Sequence, residues 1–152
     1  MKIYRVGWSK YASDLTGEGA KLFGGRWNHK TIPCIYTSES RALALLEYTV
    51  NVNIEEIPRA LSITTFEITS KGIKIIKESD LPGNWTHSPA PSATKDFGTH
   101  LLKTSSSAII KLPSSVINEE FNYLLNPLHA ESKYFKIIEI KDFIYDVRIK
   151  TV

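Results

Sequence analysis

The stretch Pro33-Cys34-Ile35-Tyr36-Thr37-Ser38-Glu39-Ser40-Arg41-Ala42-Leu43-Ala44-Leu45-Leu46-Glu47-Tyr48-Thr49-Val50 changes its hydrophobic period part-way along, and that change decides the fold class. Pro33 to Tyr36 is a short apolar run that reads as a strand. Ser38 is placed to cap a helix, with Glu39 in the first turn at the positive end of the helix dipole. Within Glu39 to Val50 the positions Ala42, Leu45, Leu46, Thr49 and Val50 follow the i, i+3, i+4, i+7, i+8 stripe of a helix that buries one face. At about 100° per residue Glu47 falls beside Leu43 at the margin of that stripe, where a carboxylate can line a cleft.

Upstream, Lys2 to Val6 alternates like a half-buried strand, and the glycines between Ser13 and Gly25 predict a loop. Downstream, Leu61 to Thr69 and Gly72 to Ile76 read as two strands paired with each other. Leu81 to Pro91 holds Pro82, Gly83, Pro89 and Pro91 and predicts an ordered loop. A helix capped by Ser92 and running through Leu102, a strand from Ala108 to Leu112, and one or two closing strands between Phe135 and Ile149 complete the pattern. The sum is an α+β or mixed α/β domain with more strand than helix.

The 152 residues leave room for a single domain, 1–152, and the 42% hydrophobic and 23% charged content is that of an ordinary globular chain. A formal charge of +3 without any run of five like charges argues against a dedicated nucleic-acid arm. Cys34 is the single cysteine, in a strand expected to be buried, so it reads as a structural thiol in a reducing compartment. No N-terminal stretch reads as a signal peptide and no apolar run spans a bilayer, so a soluble cytoplasmic protein without membrane partners is expected. CxxC, HExxH, GxxxxGK[ST] and GxGxxG are all absent and the four histidines are scattered, so no metal is expected.

Two blocks carry the functional reading. The first is Tyr11-Ala12-Ser13-Asp14-Leu15-Thr16-Gly17-Glu18-Gly19-Ala20-Lys21-Leu22-Phe23-Gly24-Gly25-Arg26-Trp27-Asn28, continued by Ile35 to Ser40 and Ala42 to Glu47. The second is Leu112-Pro113-Ser114-Ser115 with Phe121-Asn122-Tyr123-Leu124-Leu125-Asn126-Pro127-Leu128-His129. Together they resemble the RES domain family across residues 3 to 149; Ala130 departs from the proline that often follows the histidine, and the middle loop matches loosely. The resemblance implies an ADP-ribosyltransferase-like α+β domain with a central, mostly antiparallel split β-sheet flanked by short helices. It also implies the toxin half of a toxin–antitoxin pair, with NAD+ as substrate and an Xre-type helix-turn-helix antitoxin as partner. A protein acceptor of ADP-ribose is a further implied partner.

By the same resemblance Arg26, Tyr36, Glu47 and Ser114 are the catalytic candidates, and Arg26, Tyr36, Gly25, Trp27, Asn28 and Asn122 the candidates for binding the dinucleotide. The chemistry suits these residue types. Nicotinamide leaves NAD+ as a neutral base, so no general acid is needed, and one carboxylate, Glu47, can stabilise the oxocarbenium-like transition state. Arg26 offers a planar fork for a diphosphate, and Gly24 and Gly25 would let the backbone approach a ligand without a Cβ clash. Tyr36 can stack on nicotinamide with its hydroxyl free, and Ser114 can position ribose or Glu47. Taken singly, each has a plainer reading: a turn arginine, a solvated helix glutamate, a core tyrosine, a serine cap, and Asn122 and Asn126 as turn residues. Trp8, Trp27 and Trp85 read as packing or cleft-wall residues, and His129 as a structural hydrogen-bonding group. Hydrolysis, phosphorolysis and ADP-ribosyl transfer remain open, as do a nucleic-acid-acting toxin and a non-catalytic partner-binding module.

Overall fold

The computed structural model describes residues 1–150. Its regular elements are β1 (Lys2–Trp8), α1 (Glu18–Phe23), β2 (Ile35–Ser38), α2 (Arg41–Asn51), β3 (Leu61–Ile68), β4 (Ile73–Ile75), α3 (Ser92–Thr104), β5 (Ile109–Pro113), β6 (Phe121–Leu125) and β7 (Phe135–Phe143). They build one seven-stranded sheet in the order β4-β5-β6-β2-β1-β3-β7. Every pairing is antiparallel except β4 with β5. β1 and β2 are registered only at Tyr4 opposite Ser38, so the sheet splits there into two halves. The expected α+β architecture with a mostly antiparallel split sheet is the one observed.

Strand alternation sorts the core onto the two faces. Ile3, Ile35, Phe66, Ile109 and Leu125 pack together on one side. Trp27, Cys34, Trp85, Ile110 and Leu124 pack on the other, beneath α3. β5 and β6 are buried on both faces, which is why Phe121 to Leu125 forms a strand without showing any two-residue alternation.

Several local expectations are corrected. β3 and β4 do not pair with each other: β3 lies between β1 and β7, whereas β4 crosses to the far edge beside β5. Helix α1 stands inside the segment read as loop, because the Asp14 carboxylate accepts hydrogen bonds from the Gly17 and Glu18 backbone N–H groups and so caps a helix that glycines disfavour. Ser40, not Ser38, caps α2, accepting from the Leu43 N–H at 3.0 Å, and Ser38 is the last residue of β2. Ser92 is the first residue of α3 rather than its cap, a place held by Pro91. Asn122 lies in β6, not in a turn, whereas Asn126 does turn the chain, accepting from the Leu128 N–H.

The buried stripe of α2 is also rotated from the expected one. Ala42 and Val50 are exposed; Leu43 and Ala44 are buried toward the sheet, with half-buried Glu47 on the same side. Thr49 is buried because the C-terminal tail folds back over α2: its hydroxyl lies 3.0 Å from the Tyr145 hydroxyl. Lys150 Nζ donates to the Thr49 and Val52 carbonyls, a cationic finish to the last turn. The tail therefore contributes one strand, β7, and a return segment, rather than two strands. Glu47 is consequently turned inward, toward the place where β1 and β2 part.

Candidate active site

The split in the sheet opens into a cavity of about 890 Å³ lined by residues of β1, β2, α2, the turn after Gly24 and the 86–90 loop. Of the residues singled out in the sequence, Gly25, Arg26, Trp27, Tyr36, Glu47 and Asn122 border it. Ser114 is fully buried immediately behind Glu47.

The carboxylate of Glu47 is held through one oxygen. Ser114 Oγ donates to Oε1 at 2.6 Å and Asn122 Nδ2 donates to the same oxygen at 2.7 Å. Oε2 has no protein donor among the described residues. Ser114 Oγ in turn accepts from the Val116 and Ile117 N–H groups, so it caps a turn, not the helix that its plainer reading supposes, while its own proton goes to Glu47. Charge-assisted hydrogen bonds of this length fix a carboxylate in one orientation.

Arg26 reaches the cavity from the Gly24–Trp27 turn. Its Nη1 donates to the Trp85 and His87 carbonyls at 2.7 and 2.8 Å, tying down the 81–91 loop. Nε and Nη2 have no protein acceptor among the described residues. Burial lowers the guanidinium pKa and the nearby Glu47 carboxylate opposes that shift; both side chains border the same cavity.

Four expectations change here. The Tyr36 hydroxyl is not free: it donates to Asn28 Oδ1 at 2.6 Å and accepts from the Trp27 N–H at 3.0 Å, and burial pushes its pKa well above the ordinary tyrosine value. Asn28 is fully buried and does not border the cavity; its amide nitrogen donates to the Ala20 and Ile32 carbonyls, so it organises the turn beneath Arg26. The Trp27 indole is likewise buried, 6.1 Å centroid to centroid from Trp85, and belongs to the core. Gly25 is required by the fold itself, since a Cβ there would stand 2.6 Å from the Tyr36 hydroxyl.

Two side chains of the site were missed. Ser38 Oγ donates to Asn122 Oδ1 at 2.7 Å, from the position directly opposite Asn122 in the β2–β6 ladder. Arg5 donates to the carbonyls of Tyr11, Ala12 and Asp14 and lies 5.2 Å over the Phe66 ring, pinning the 11–14 segment against the cavity. The sequence signal for Arg5 was its parity with Ile3, a charge on the buried face of β1. His129 is structural: Nδ1 accepts from the Glu131 N–H and Nε2 lies 3.1 Å from the Ser105 carbonyl. Among the described residues no group of three His, Cys, Asp or Glu side chains gathers to hold a metal, and no helix is long and apolar enough to cross a membrane.

A sequence profile of the RES domain matches residues 2–146. This chain belongs to the RES domain family. Toxin Res of Yersinia enterocolitica is 36% identical over 152 residues, covering 99% of this chain and all of the relative. The Prs ADP-ribosylating toxin of a Sphingobium species is 33% identical, covering 91% of this chain and 88% of that protein. Among solved structures, the Mycobacterium tuberculosis MbcT–MbcA toxin–antitoxin complex contains a chain that superposes with a TM-score of 0.74 at 18% identity, over 94% of this chain and 84% of that one. The fold expected from the two sequence blocks is therefore a RES-family fold, and the full-length relatives are toxins.

Proposed function

We propose that this RES-family toxin consumes NAD+ by breaking the bond between nicotinamide and ribose, with Glu47 as the catalytic carboxylate and Arg26 as the diphosphate anchor. The observation that carries the reading is the pairing of a carboxylate held through Oε1, with Oε2 unoccupied, and a half-engaged guanidinium on one cavity. The cavity volume falls in the range of roughly 300–1,000 Å³ typical of small-molecule and cofactor sites.

In this mechanism the C1′–N bond breaks with its electron pair passing to the pyridinium nitrogen, which leaves as neutral nicotinamide. The positive charge that develops on the ribose is met by Glu47, whose carboxylate is fixed in the cleft before the charge appears, so the interaction is worth more than with bulk water. Oε2 takes a hydrogen bond from a ribose hydroxyl or from the attacking acceptor. Ser114 and Asn122 hold the carboxylate, and the Tyr36 ring forms a wall against which nicotinamide can lie. Arg26 binds the diphosphate through Nε and Nη2 while Nη1 keeps the loop in place.

Water, phosphate and a protein side chain are the three acceptors compatible with this geometry, and the naming of the Sphingobium relative as an ADP-ribosylating toxin supports the last of them. The proposed partner is an antitoxin of the Xre helix-turn-helix type, acting with the toxin in the cytoplasm. The MbcT–MbcA complex supports an antitoxin partner in general. The test is to incubate the purified chain with NAD+, with and without phosphate or cell extract, and to follow products by mass spectrometry. Nicotinamide with ADP-ribose, with its 1-phosphate, or with a protein carrying the added mass identifies the acceptor. No release of nicotinamide under any of these conditions refutes the proposal.

A further inference from the structure

We propose that Ser38 is a positioning residue for Glu47, acting through the Asn122 amide; this rests on the reading of Glu47 given above. The three groups form one directed chain: Ser38 Oγ donates to Asn122 Oδ1 at 2.7 Å, and Asn122 Nδ2 donates to Glu47 Oε1 at 2.7 Å. An amide that accepts on its oxygen becomes a stronger donor on its nitrogen, so the serine proton reinforces the bond to the carboxylate. Ser38 is 3% exposed, so water does not simply replace its hydroxyl. Without that donor, Oδ1 is left with an unmet demand that is satisfied by rotating the amide, and rotation takes Nδ2 away from Oε1.

The backbone makes the chain rigid. Ser38 and Asn122 face each other in the β2–β6 ladder, and Ser38 also faces Tyr4 at the single registered contact between the halves of the split sheet. The serine thus stands where the halves join and sends one hydrogen bond toward the carboxylate at the mouth of the split. Together with Ser114 on the same Oε1, this fixes the carboxylate plane and keeps Oε2 as the oxygen presented to substrate.

The experiment uses the full chain and the near-isosteric pair Ser38→Thr and Ser38→Val, which separates the hydroxyl from packing, each made in the wild type and in an Asn122→Ala background. In the wild-type background Ser38→Val lowers kcat for nicotinamide release about tenfold relative to Ser38→Thr, the size expected for loss of one charge-assisted hydrogen bond, with KM within about twofold. In the Asn122→Ala background the two substitutions differ by less than about twofold, because the route to Glu47 is already cut. Equal differences in both backgrounds, or a change confined to KM, overturns the inference. A readout independent of turnover is the Asn122 side-chain amide in NMR spectra, whose contact to the Glu47 side chain persists in Ser38→Thr and disappears in Ser38→Val. Persistence of that contact in Ser38→Val sinks the inference even with NAD+ cleavage intact. A wild-type chain that never releases nicotinamide refutes the proposed function, and the amide signal then decides the inference by itself.

Discussion

Replacing Tyr36 with phenylalanine separates a scaffold role from a ligand role at one atom. The ring and its packing are kept, and only the hydroxyl is lost. That hydroxyl donates to Asn28 Oδ1 at 2.6 Å and accepts from the Trp27 N–H at 3.0 Å, and both partner residues are almost fully buried. The substitution therefore strands one backbone donor and one amide oxygen, each costing about 1–3 kcal/mol, with some relief from water entering along the cavity. A net loss of about 2–4 kcal/mol is expected, a large share of the roughly 5–15 kcal/mol that holds a domain folded. For a chain of this length it corresponds to a fall in Tm of about 6–12 °C. Thermal and urea unfolding followed by circular dichroism measure it, alongside nicotinamide release from the fraction still folded. An unchanged Tm with lost turnover would refute the reasoning and return the hydroxyl to the substrate.

Three further outcomes are expected. Gly98→Ala, which in an ordinary helix interior would stabilise by up to about 1 kcal/mol, instead destabilises by about 2 kcal/mol or more. The cause is that a Cβ there would stand 2.0 Å from the Trp27 carbonyl oxygen; a raised urea midpoint would contradict this. Arg26→Lys raises KM for NAD+ by about tenfold or more and speeds proteolysis within residues 81–91, since one ammonium cannot serve the Trp85 and His87 carbonyls and also grip a diphosphate. An unaltered KM argues against the anchor. At Asp14 burial raises the carboxyl pKa, but hydrogen bonds from Thr16 and the Glu18 N–H, with Arg5 nearby, outweigh it and hold the value below the usual 3.8. A depressed folded pKa means stability that is present above the unfolded value and lost as pH falls through the folded one, so acid unfolding below about pH 4 is steeper in the wild type than in Asp14→Asn. Parallel acid profiles would refute that assignment.

What could be read from the sequence divides along physical lines. The strand-to-helix change at Pro33–Val50 was legible because period is a local property, and α2 appeared within two residues of its expected start. Its cap and the direction of its buried side were not, because both depend on what packs against the helix: β1 and β2 on one side and the tail through Tyr145 and Lys150 on another. Helix α1 was hidden by glycines whose cost is offset by Asp14, a residue outside the helix. The β3–β4 pairing failed since sequence proximity is a poor guide when one strand crosses the whole sheet. In the site, Arg26, Tyr36, Glu47 and Asn122 were found as residue types in a motif and do border one cavity. Asn28 belongs to the same motif yet is turned away from the cavity into the core, a distinction that motif spacing does not encode. Ser38 escaped because its role arises from the β2–β6 register, which joins residues 84 positions apart.

The most direct measurement of the central claim is the rate of nicotinamide release from NAD+ by Glu47→Gln. Glutamine keeps the shape, and its side-chain oxygen still accepts from Ser114 and Asn122, so the fold is retained and only the charge is removed. With an unchanged Tm, a fall in kcat of about a hundredfold or more is the result this account predicts. A folded Glu47→Gln protein that releases nicotinamide within about twofold of the wild-type rate would contradict it.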